Sequence, residues 1–357
     1  MTRVGYRIAL IPGDGIGAEV VPPAAAVLQA IGHRHGITFD FDEFDWSCQR
    51  YVHEGAMMPT DGIDTIRGHD AILLGAVGWQ GVPDSISLWG LLIPLRRAFH
   101  QYVNLRPIMV FDGVRSPLTA AKDATRVDGV DFVIVRENVE GEYSEIGGRM
   151  NRGLASEQAI QTAVFTRPGI SRVAEYAFGL AAGRRGRVTS ATKSNGIVHT
   201  MPFWDEVVSE VAEDHPGVAL RSEHIDALAA KIVLEPAAFD VIVASNLFGD
   251  VLSDLAAAVA GSIGIAPSGN LNPEREFPSM FEPVHGSAPD IAGRDLANPV
   301  GAIWSAAMML EHLGHREAAT EILDAVRALF VDGIRTRDIG GSAGTAEFTR
   351  ELLKRID

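Results

Sequence analysis

The chain of 357 residues is long for one domain and suits two, and its 46% apolar and 22% charged residues are ordinary for a globular protein with a large core. Its formal net charge of −15 is spread along the sequence and disfavours nucleic acid and anionic membranes as partners. No segment contains the run of about 18 to 20 apolar residues that a membrane span needs. A single cysteine, Cys48, excludes an internal disulfide framework, and the N-terminus has no signal-peptide pattern, so we expect a cytoplasmic protein.

Strand-like apolar segments alternate with helix-like segments along most of the chain. A strand over 6–11 is followed by a glycine-rich turn and a helix to about residue 31. Further strands are predicted at 38–45, 71–75, 132–135, 187–192, 218–221 and 241–244. Further helices are predicted at 88–99, 171–182, 203–212, 225–234, 247–259, 302–313, 317–330 and 345–354. This alternation predicts an α/β fold with a largely parallel sheet.

The turn after the first strand has the pattern of a dinucleotide fingerprint. Gly13, Gly15 and Ala18 satisfy G-x-G-x-x-G/A between a strand and a helix. Two features weaken that interpretation. Asp14 would place a carboxylate beside the pyrophosphate, and prolines at 22–23 are expected to interrupt the first turns of the helix. A Rossmann domain is therefore not the favoured interpretation of this turn.

Arginines recur in or beside apolar elements. Arg96 and Arg97 lie on a predicted helix, Arg106 lies in an Asn-Leu-Arg-Pro segment, and Arg136 closes a buried strand. A guanidinium at the end of an apolar strand needs partners, and its planar fork binds carboxylates with two hydrogen bonds. The arginines indicate a dicarboxylate or phosphate pocket, with structural ion pairs as the alternative.

The segment from Tyr143 to Thr166 interrupts the strand–helix alternation. It is rich in Gly, Arg and Glu and then becomes strand-like over 159–165. We expect an exposed hairpin or arm here, of a kind that often serves dimerisation.

Tyr143 and Lys193 are candidates for proton transfer. Lys193 follows a predicted strand and is one of only four lysines in the chain. A desolvated lysine near other cations can lose its proton and act as a general base, and a tyrosine hydroxyl beside it can act as the acid. Each residue taken alone is more often structural than catalytic.

Two aspartates, Asp250 and Asp254, begin the helix at 247–259. Their i, i+4 spacing places both carboxylates on one helix face, directly after a strand. Paired carboxylates offer the hard oxygen ligands that Mg²⁺ or Mn²⁺ prefers. The alternative is that they only compensate the positive end of the helix dipole.

A rigid loop runs from Glu282 to Gly293 and contains two prolines, two glycines, His285 and Asp290. Long loops with such residues usually bind a ligand. An acidic residue here suits a free ribose 2′-hydroxyl and would repel a 2′-phosphate, so Asp290 favours NAD over NADP.

Taken together, these segments resemble one family across essentially the whole chain. It is the β-decarboxylating dehydrogenase family, which contains isocitrate, 3-isopropylmalate and tartrate/D-malate dehydrogenases. The resemblance lies in five segments in the expected order: 13–17, 104–107, 135–143, 246–254 and 282–293. It implies a two-domain, isopropylmalate-dehydrogenase-like α/β fold with a mixed sheet flanked by helices, which is not a Rossmann fold. It also implies a first domain of residues 1–101 and 255–357, a second domain of 102–254 with an arm at about 143–166, and a homodimer.

The resemblance also assigns roles to individual residues. Arg96, Arg106 and Arg136 would bind the substrate carboxylates, and Tyr143 and Lys193 would form the acid/base pair. Asp226, Asp250 and Asp254 would bind Mn²⁺ or Mg²⁺, with Lys193 and Asp226 reaching the site from the partner subunit. The NAD-binding positions would be His285, Gly286, Ser287, Ala288, Asp290 and Asn298. The resemblance further implies K⁺ as a monovalent cation, although no residue in the sequence identifies its site.

The segment before the first substrate arginine distinguishes the branches of the family. Residues 82–90, Val-Pro-Asp-Ser-Ile-Ser-Leu-Trp-Gly, resemble the tartrate/D-malate dehydrogenase branch, which oxidises a small 2-hydroxy diacid and usually decarboxylates it. Pro94 inside the predicted helix departs from the expected pattern. Leu92 and Ile93 are able to line a hydrophobic subsite, so 3-isopropylmalate is the alternative substrate. A metal-free Rossmann dehydrogenase and a non-catalytic regulatory subunit are the remaining alternatives.

Overall fold

The computed structural model describes residues 4–118 and 129–356, and its core is one ten-stranded sheet flanked by helices. Two further strands form a separate hairpin. The strands are β1 (Val4–Gly13), β2 (Ile37–Glu43), β3 (Ala71–Ala76), β4 (Val103–Met109), β5 (Asp131–Glu137), β6 (Gly147–Met150), β7 (Gln158–Gln161), β8 (Arg187–Thr192), β9 (Ala219–His224), β10 (Val241–Ala244), β11 (Pro267–Leu271) and β12 (Ser279–Pro283). The helices are α1 (Gly17–His35), α2 (Cys48–Glu54), α3 (Gly62–Ile66), α4 (Asp84–Ser87), α5 (Ile93–Ala98), α6 (Arg167–Ala182), α7 (Thr200–Glu213), α8 (Ile225–Leu234), α9 (Asn246–Ala260), α10 (Val300–His312), α11 (Arg316–Val331) and α12 (Thr345–Ile356).

The sheet combines two parallel blocks with an antiparallel centre. Its order is β2-β1-β3-β12-β11-β4-β5-β10-β8-β9. The strands β2, β1, β3 and β12 are parallel to one another, as are β5, β10, β8 and β9. The neighbours β12/β11, β11/β4 and β4/β5 are antiparallel. The predicted α/β fold with a mixed sheet and flanking helices is confirmed.

One face of the sheet has a continuous apolar layer. Helices α1, α6, α7, α10, α11 and α12 all contribute buried side chains to it. The other face has two separate apolar clusters. One packs α8 and α9 on β4, β5 and β10, and the second packs α2, α3 and α5 on β1 and β3.

Polar side chains occupy the sheet face between these two clusters. Met280 of the second cluster is paired with Asn270, Asn270 with Asn104, and Asn104 with Arg136. Directly paired residues in a sheet point to the same face, and Arg136 is two residues from Ile134 of the first cluster. The antiparallel centre of the sheet is therefore a polar strip between two apolar lobes, and the candidate site lies there.

Helix α1 contains two adjacent prolines, Pro22 and Pro23. The expected interruption of α1 by Pro22 and Pro23 is wrong, because α1 is continuous from Gly17 to His35. Both prolines are on its outer side, while Val20, Val27 and Leu28 are fully buried, and that burial outweighs the two lost helix hydrogen bonds.

The predicted helix at 88–99 is in fact interrupted. A π-helical turn spans Leu88–Leu92, with the Ile93 amide bonded to the Leu88 carbonyl, and α5 begins afterwards. Pro94 thus falls in the first turn of α5, where its missing N–H has no helical partner to lose. This explains how the helix accommodates Pro94.

The segment expected to be an arm contains the hairpin of β6 and β7. The two strands are antiparallel, with Gly147 paired with Gln161, and both are exposed throughout. Ile146, Met150 and Ile160 present apolar side chains to solvent with exposed fractions of 59%, 52% and 56%. A dimerisation role for this hairpin stays a prediction.

Candidate active site

The glycine-rich turn after β1 is stabilised by its own carboxylate. Asp14 is buried and accepts hydrogen bonds from the amides of Cys48 (2.9 Å), Gln49 (3.1 Å) and Gly78 (3.1 Å). It therefore satisfies the N-terminus of α2 and the chain after β3. A carboxylate with these partners has a structural role and does not leave this turn free for a pyrophosphate.

A cavity of about 250 Å³ opens over the polar centre of the sheet. Its polar wall comes from β4, β5, α5, α9 and the end of β12. Its lining residues are Leu74, Gly75, Ala76, Val77, Leu88, Leu92, Ile93, Arg96, Arg106, Arg136, Tyr143, Asn246, Asp250, Ser268, Glu282, Pro283, Val284, His285 and Gly286. The three predicted substrate arginines thus lie together in one small cavity, with Tyr143 and Asp250.

Arg96 enters the cavity from α5. Its Nη2 donates to Oε1 of Glu282 over 3.1 Å, and both side chains are buried. Glu282 also accepts from Nδ2 of Asn270 over 2.7 Å. The buried Nε of Arg96 has no hydrogen-bond partner within the described residues. A buried donor without a partner favours a ligand at this position, because leaving it unpaired costs free energy.

Arg106 enters the cavity from β4. Its Nε donates to Oδ1 of Asn104 over 2.8 Å, and its Nη1 donates to Oγ of Ser253 over 2.6 Å and to Oδ1 of Asp254 over 3.4 Å. Burial lowers its pKa, and the nearby Asp250 and Asp254 oppose that effect. Arg106 therefore links the sheet to α9.

Arg136, at the end of β5, is held by the first two turns of α9. Its Nε and Nη2 donate to Oδ1 of Asn246 over 3.1 and 2.7 Å, and its Nη1 forms an ion pair with Asp250. Burial lowers the pKa of Arg136 to about 10, which still leaves the guanidinium charged at neutral pH. The cavity thus contains a fixed cluster of positive charge in a chain that is acidic overall.

Tyr143 and Asp250 form the central polar pair. The Tyr143 hydroxyl donates to Oδ2 of Asp250 over 2.9 Å, and the guanidinium carbon of Arg136 is 5.7 Å from the centre of the Tyr143 ring. Burial and then the Asp250 charge raise the pKa of Tyr143. Burial would also raise the pKa of Asp250, but Arg136 and Arg106 outweigh it, so that pKa is lowered. At neutral pH the pair is a protonated tyrosine and an ionised aspartate.

Asp254 lies one turn further along α9. Its side chain is 60% exposed and approaches Arg106. Burial raises its pKa despite the opposing charge of Arg106, and the neighbouring Asp250 raises it further. A second carboxylate beside an ionised one is stabilised in its charged form by a bound cation.

The structure does not bring Lys193 and Asp226 to this cavity. They are paired with each other, Nζ to Oδ1, over 2.6 Å, with exposed fractions of 29% and 69%, and neither lines the cavity. The hydrogen bond from Lys193 lowers the pKa of Asp226. Among residues 4–118 and 129–356, no three His, Cys, Asp or Glu side chains are placed to hold one metal ion.

The predicted NAD loop closes the cavity on one side. His285 is buried, and its Nδ1 contacts the Gly286 carbonyl over 3.0 Å, while its Nε2 has no partner in the part of the chain described. Burial lowers its pKa, so the ring is neutral at pH 7. The Ser287 carbonyl accepts from the Ile16 amide over 2.8 Å, and an added Cβ on Gly15 would be 2.0 Å from the Ser287 carbonyl oxygen. The glycine turn is therefore a support for this loop.

The other predicted NAD positions differ in their surroundings. Ala288 has a positive φ of 38°, and Asp290 is exposed. Asn298 is buried, and its amide donates to Asp338 over 3.0 Å and accepts from the Val300 amide over 3.0 Å. Asn298 therefore already has partners within the chain, whereas Nε2 of His285 does not.

Sequence reasoning missed several residues that shape the cavity. Glu282 pairs with Arg96, Asn246 binds Arg136, and Ser253 binds Arg106. Leu88 lies on the apolar side of the cavity, next to Leu92 and Ile93, which were expected from the sequence to line a hydrophobic subsite. Glu282 and Asn246 lie in segments that had been singled out. Their polar side chains directly beside buried strands were the signal that could have identified them.

Comparison with known proteins identifies the family of the chain. Residues 7–353 match the family model described as isocitrate/isopropylmalate dehydrogenase. The chain is 55% identical, over 100% of its length and 99% of the relative, to "Probable tartrate dehydrogenase/decarboxylase" of Bacillus subtilis (strain 168). It is 52% identical to "D-malate dehydrogenase [decarboxylating]" of Escherichia coli (strain K12), over 98% of each chain. A crystal structure of isocitrate dehydrogenase from Methylococcus capsulatus superposes with a TM-score of 0.87 at 34% identity, covering 98% of this chain and 99% of that one.

The fold and the site define an oxidoreductase of the decarboxylating hydroxy-acid dehydrogenase type. The chain belongs to the isocitrate/isopropylmalate dehydrogenase family. Dehydrogenases of this family generally use NAD(P) and a divalent metal ion. None of the helices in the described residues is long and apolar enough to span a membrane.

Proposed function

We propose that the chain catalyses the NAD- and divalent-metal-dependent oxidation of a small 2-hydroxy diacid, D-malate or tartrate, with β-decarboxylation of D-malate to pyruvate and CO₂. The observation that carries this proposal is the convergence of Arg96, Arg106 and Arg136 with Tyr143 and Asp250 in one cavity. Three fixed guanidinium groups suit a substrate with two carboxylates. The relatives at 52–55% identity carry the names tartrate dehydrogenase/decarboxylase and D-malate dehydrogenase, which supports this substrate class.

The alternative substrate is 3-isopropylmalate. It is favoured by one observation, the apolar wall of Leu88, Leu92 and Ile93. The names of the relatives nevertheless favour D-malate and tartrate over 3-isopropylmalate.

The residues present fit a divalent cation. Asp250 and Asp254 lie on one face of α9, and they supply the hard oxygen ligands that Mn²⁺ and Mg²⁺ take. A bound cation would offset the burial and the Asp250 charge that raise the pKa of Asp254. When bound, the ion supplies positive charge that lowers the pKa of the substrate 2-hydroxyl. We also propose that the enzyme uses K⁺ as a monovalent cation. This part of the proposal rests on the family resemblance alone, and no residue is assigned to K⁺.

The loop after β12 fits NAD. The unpartnered, buried Nε2 of His285 is the observation that favours a ligand there, and Gly286, Ser287 and Ala288 continue the loop. The exposed carboxylate of Asp290 suits a ribose 2′-hydroxyl and disfavours a 2′-phosphate. Asn298 would support the loop more than contact the adenine, since its amide is already paired. When bound, NAD⁺ accepts the hydride.

The side chains of this chain perform the remaining steps. The three arginines hold the substrate carboxylates and fix which carbon faces the cofactor. Lys193, reaching the cavity from the partner subunit in the proposed homodimer, takes the proton of the 2-hydroxyl as general base. Tyr143 keeps its proton at Oη at neutral pH, because burial and Asp250 raise its pKa, and donates it to C3 of the substrate after CO₂ has left.

We further propose a homodimer with shared active sites. Lys193 and Asp226 are paired outside the cavity of their own chain, as expected for residues that serve the partner's site. Exposed apolar side chains occur in the same part of the sequence, with Val198, Leu234 and Val251 exposed to 64%, 79% and 57%. Where exposed apolar side chains form a contiguous patch, they mark an interaction surface.

The two apolar clusters on one sheet face support the predicted division into two domains. Residues 1–101 and the C-terminal third would form the first domain, and the segment from residue 102 would form the second. We place the second boundary after Ala260, because α9 is continuous across residues 254 and 255.

We also propose a cytoplasmic location. Cys48 is buried and burial raises the pKa of its thiol to about 12, so it is inert toward disulfide exchange.

The cofactor and metal parts of the proposal are tested together with D-malate as substrate. NADH formation with Mn²⁺ is compared with NADPH formation under the same conditions, and each is repeated with excess EDTA. We expect kcat/KM to be at least about 10-fold higher with NAD⁺ because of Asp290, and we expect EDTA to abolish the reaction. Activity that survives EDTA contradicts the metal site.

A further inference from the structure

The loop that carries Tyr143 is attached to the N-termini of two different helices by two glutamates. Glu140 accepts from the amide and the hydroxyl of Thr166 at the start of α6, over 3.0 and 2.8 Å. Glu142 accepts from the hydroxyl of Ser245 over 2.8 Å and from the amide of Leu247 over 3.1 Å, at the start of α9.

Glu142 caps the N-terminus of α9. Ser245 occupies the N-cap position of α9, but its side chain makes no capping hydrogen bond to the helix and donates to Glu142 instead. The first amides of a helix have no partner within it, and a carboxylate at this end is favoured by the helix dipole. The carboxylate from a distant loop thus satisfies an amide that Ser245 leaves open.

This attachment sets the distance between Tyr143 and Asp250. Glu142 is the immediate neighbour of Tyr143 in sequence, and Asp250 lies in the second turn of α9. Asn246 adds a second link, since its Nδ2 donates to the Glu140 carbonyl over 3.0 Å while its Oδ1 accepts from Arg136. The loop and the start of α9 therefore behave as one unit, within which the hydroxyl of Tyr143 meets the carboxylate of Asp250.

We propose that Glu142 is a positioning residue that fixes Tyr143 against Asp250 by joining the loop to the first turn of α9. Glu142 does not line the cavity, so it acts through Tyr143 and not on the substrate. The proposal deepens the proposed function and rests on it for the role of Tyr143 as proton donor.

Glu140 offers a matched control on the same loop. It is also a carboxylate bonded to a helix N-terminus, but its helix, α6, carries none of the residues that line the cavity. Glu140→Ala and Glu142→Ala each release one attachment of the loop, and only the second releases it from the helix of Asp250. Glu142→Gln keeps an oxygen that accepts from Leu247 or Ser245 and serves as the conservative variant.

The kinetic test is a double-mutant cycle with D-malate and NAD⁺. We expect Glu142→Ala to lower kcat about 10- to 100-fold, the scale of a displaced catalytic group. We expect Glu142→Gln and Glu140→Ala to stay within about threefold of the wild type, and KM to change little in all three. In a Tyr143→Phe background, Glu142→Ala should cost no further activity, because two residues that act through one group are not additive. An equal loss in Glu140→Ala, or a full further loss in the double variant, overturns the proposal.

Two readouts do not depend on turnover. The first is the NMR signal of ¹³Cζ-labelled Tyr143 at neutral pH, which Tyr143→Phe assigns among the five tyrosines. The second is the hydrogen-exchange rate of the Leu247 amide. We expect Glu142→Ala to move the tyrosine signal and speed the exchange, and Glu142→Gln to restore both. If neither readout changes in Glu142→Ala, the proposal is wrong. If the wild type oxidises none of the acids tested, the proposed function fails, while these two readouts still decide the role of Glu142.

Discussion

The hydroxyl of Tyr143 donates to Oδ2 of Asp250 over 2.9 Å, while the other oxygen of the same carboxylate pairs with Arg136. One carboxylate thus faces a proton donor on one side and a fixed positive charge on the other. The guanidinium keeps Asp250 ionised, and the ionised Asp250 helps to keep Tyr143 protonated. This relationship joins the part of the site that binds the acid to the part that transfers the proton.

Replacing Tyr143 with phenylalanine removes the proton donor and keeps the ring beside Arg136. We expect kcat for D-malate to fall at least about 100-fold, the usual contribution of a general acid, with KM within about threefold. Steady-state NADH formation measures both constants. A loss smaller than twofold means that Tyr143 is not the acid.

Shared active sites predict that two inactive variants restore each other's activity. In a hybrid of a Tyr143→Phe subunit and a Lys193→Met subunit, one site contains both defects and the other contains none. When the two subunits are mixed at random, about a quarter of all sites should be intact, so activity should return to about a quarter of the wild type.

The control for this experiment is each variant expressed or refolded without the other, and each should stay inactive. If Lys193 serves the site of its own subunit, each hybrid site has one defect and no activity returns. The mixing experiment therefore separates the two arrangements without a structure of the dimer.

The apolar wall of the cavity predicts how the substrate preference can be changed. Leu92→Ala enlarges the space beside the arginines, where an isopropyl group would lie. We expect the ratio of kcat/KM for 3-isopropylmalate to that for D-malate to rise at least about 10-fold, since each buried methylene is worth about that factor. Leu353→Ala, on α12 and outside the cavity, is the matched control and should leave the ratio unchanged. An unchanged ratio in Leu92→Ala would show that this wall does not select the substrate.

Glu137 predicts a specific dependence of stability on pH. Glu137 follows Arg136 in the sequence, and its buried carboxyl does not line the cavity. Burial raises the pKa of this carboxyl from 4.5 to about 7. The folded chain therefore holds this proton more tightly than the unfolded chain does. The resulting stabilisation is complete below about pH 4.5 and is lost as the pH rises through about 7.

Glu137→Gln removes this titration and keeps an oxygen for the amides of Val139 and Glu140. We expect the free energy of unfolding of the variant, relative to the wild type, to increase between pH 5 and pH 8 by up to about 3 kcal/mol. Urea unfolding at a series of pH values measures it. A difference that stays constant with pH excludes a raised pKa at Glu137.

The sequence predicted the long helices and the outer strands of the fold, because their apolar periodicity follows from burial on one side, but it did not predict the short helices α2, α3 and α4. The bounds of α8 agree with the predicted 225–234. It did not predict β4, β11 or β12. Their inner face carries Asn104, Ser268, Asn270 and Glu282, so the usual alternation of apolar side chains is missing. These strands form the centre of the sheet because their polar groups satisfy one another and the arginines.

The sequence likewise predicted only some residues of the candidate site. Arg96, Arg106, Arg136, Tyr143 and Asp250 were predicted from motifs and meet in one cavity. The roles of Glu282 and Asn246 could not be predicted from spacing, since each depends on a contact over more than 100 residues of sequence. Lys193 and Asp226 stay predictions, because neither residue lines the cavity of this chain.

The most direct test of the central claim is to compare kcat/KM for D-malate, L-tartrate, 3-isopropylmalate and isocitrate with NAD⁺, Mn²⁺ and K⁺. We predict that D-malate or L-tartrate exceeds the other two by at least about 10-fold, and that D-malate yields pyruvate and NADH in equal amounts. A higher kcat/KM for 3-isopropylmalate would contradict the proposed substrate class and leave only the family assignment and the arginine cavity in place.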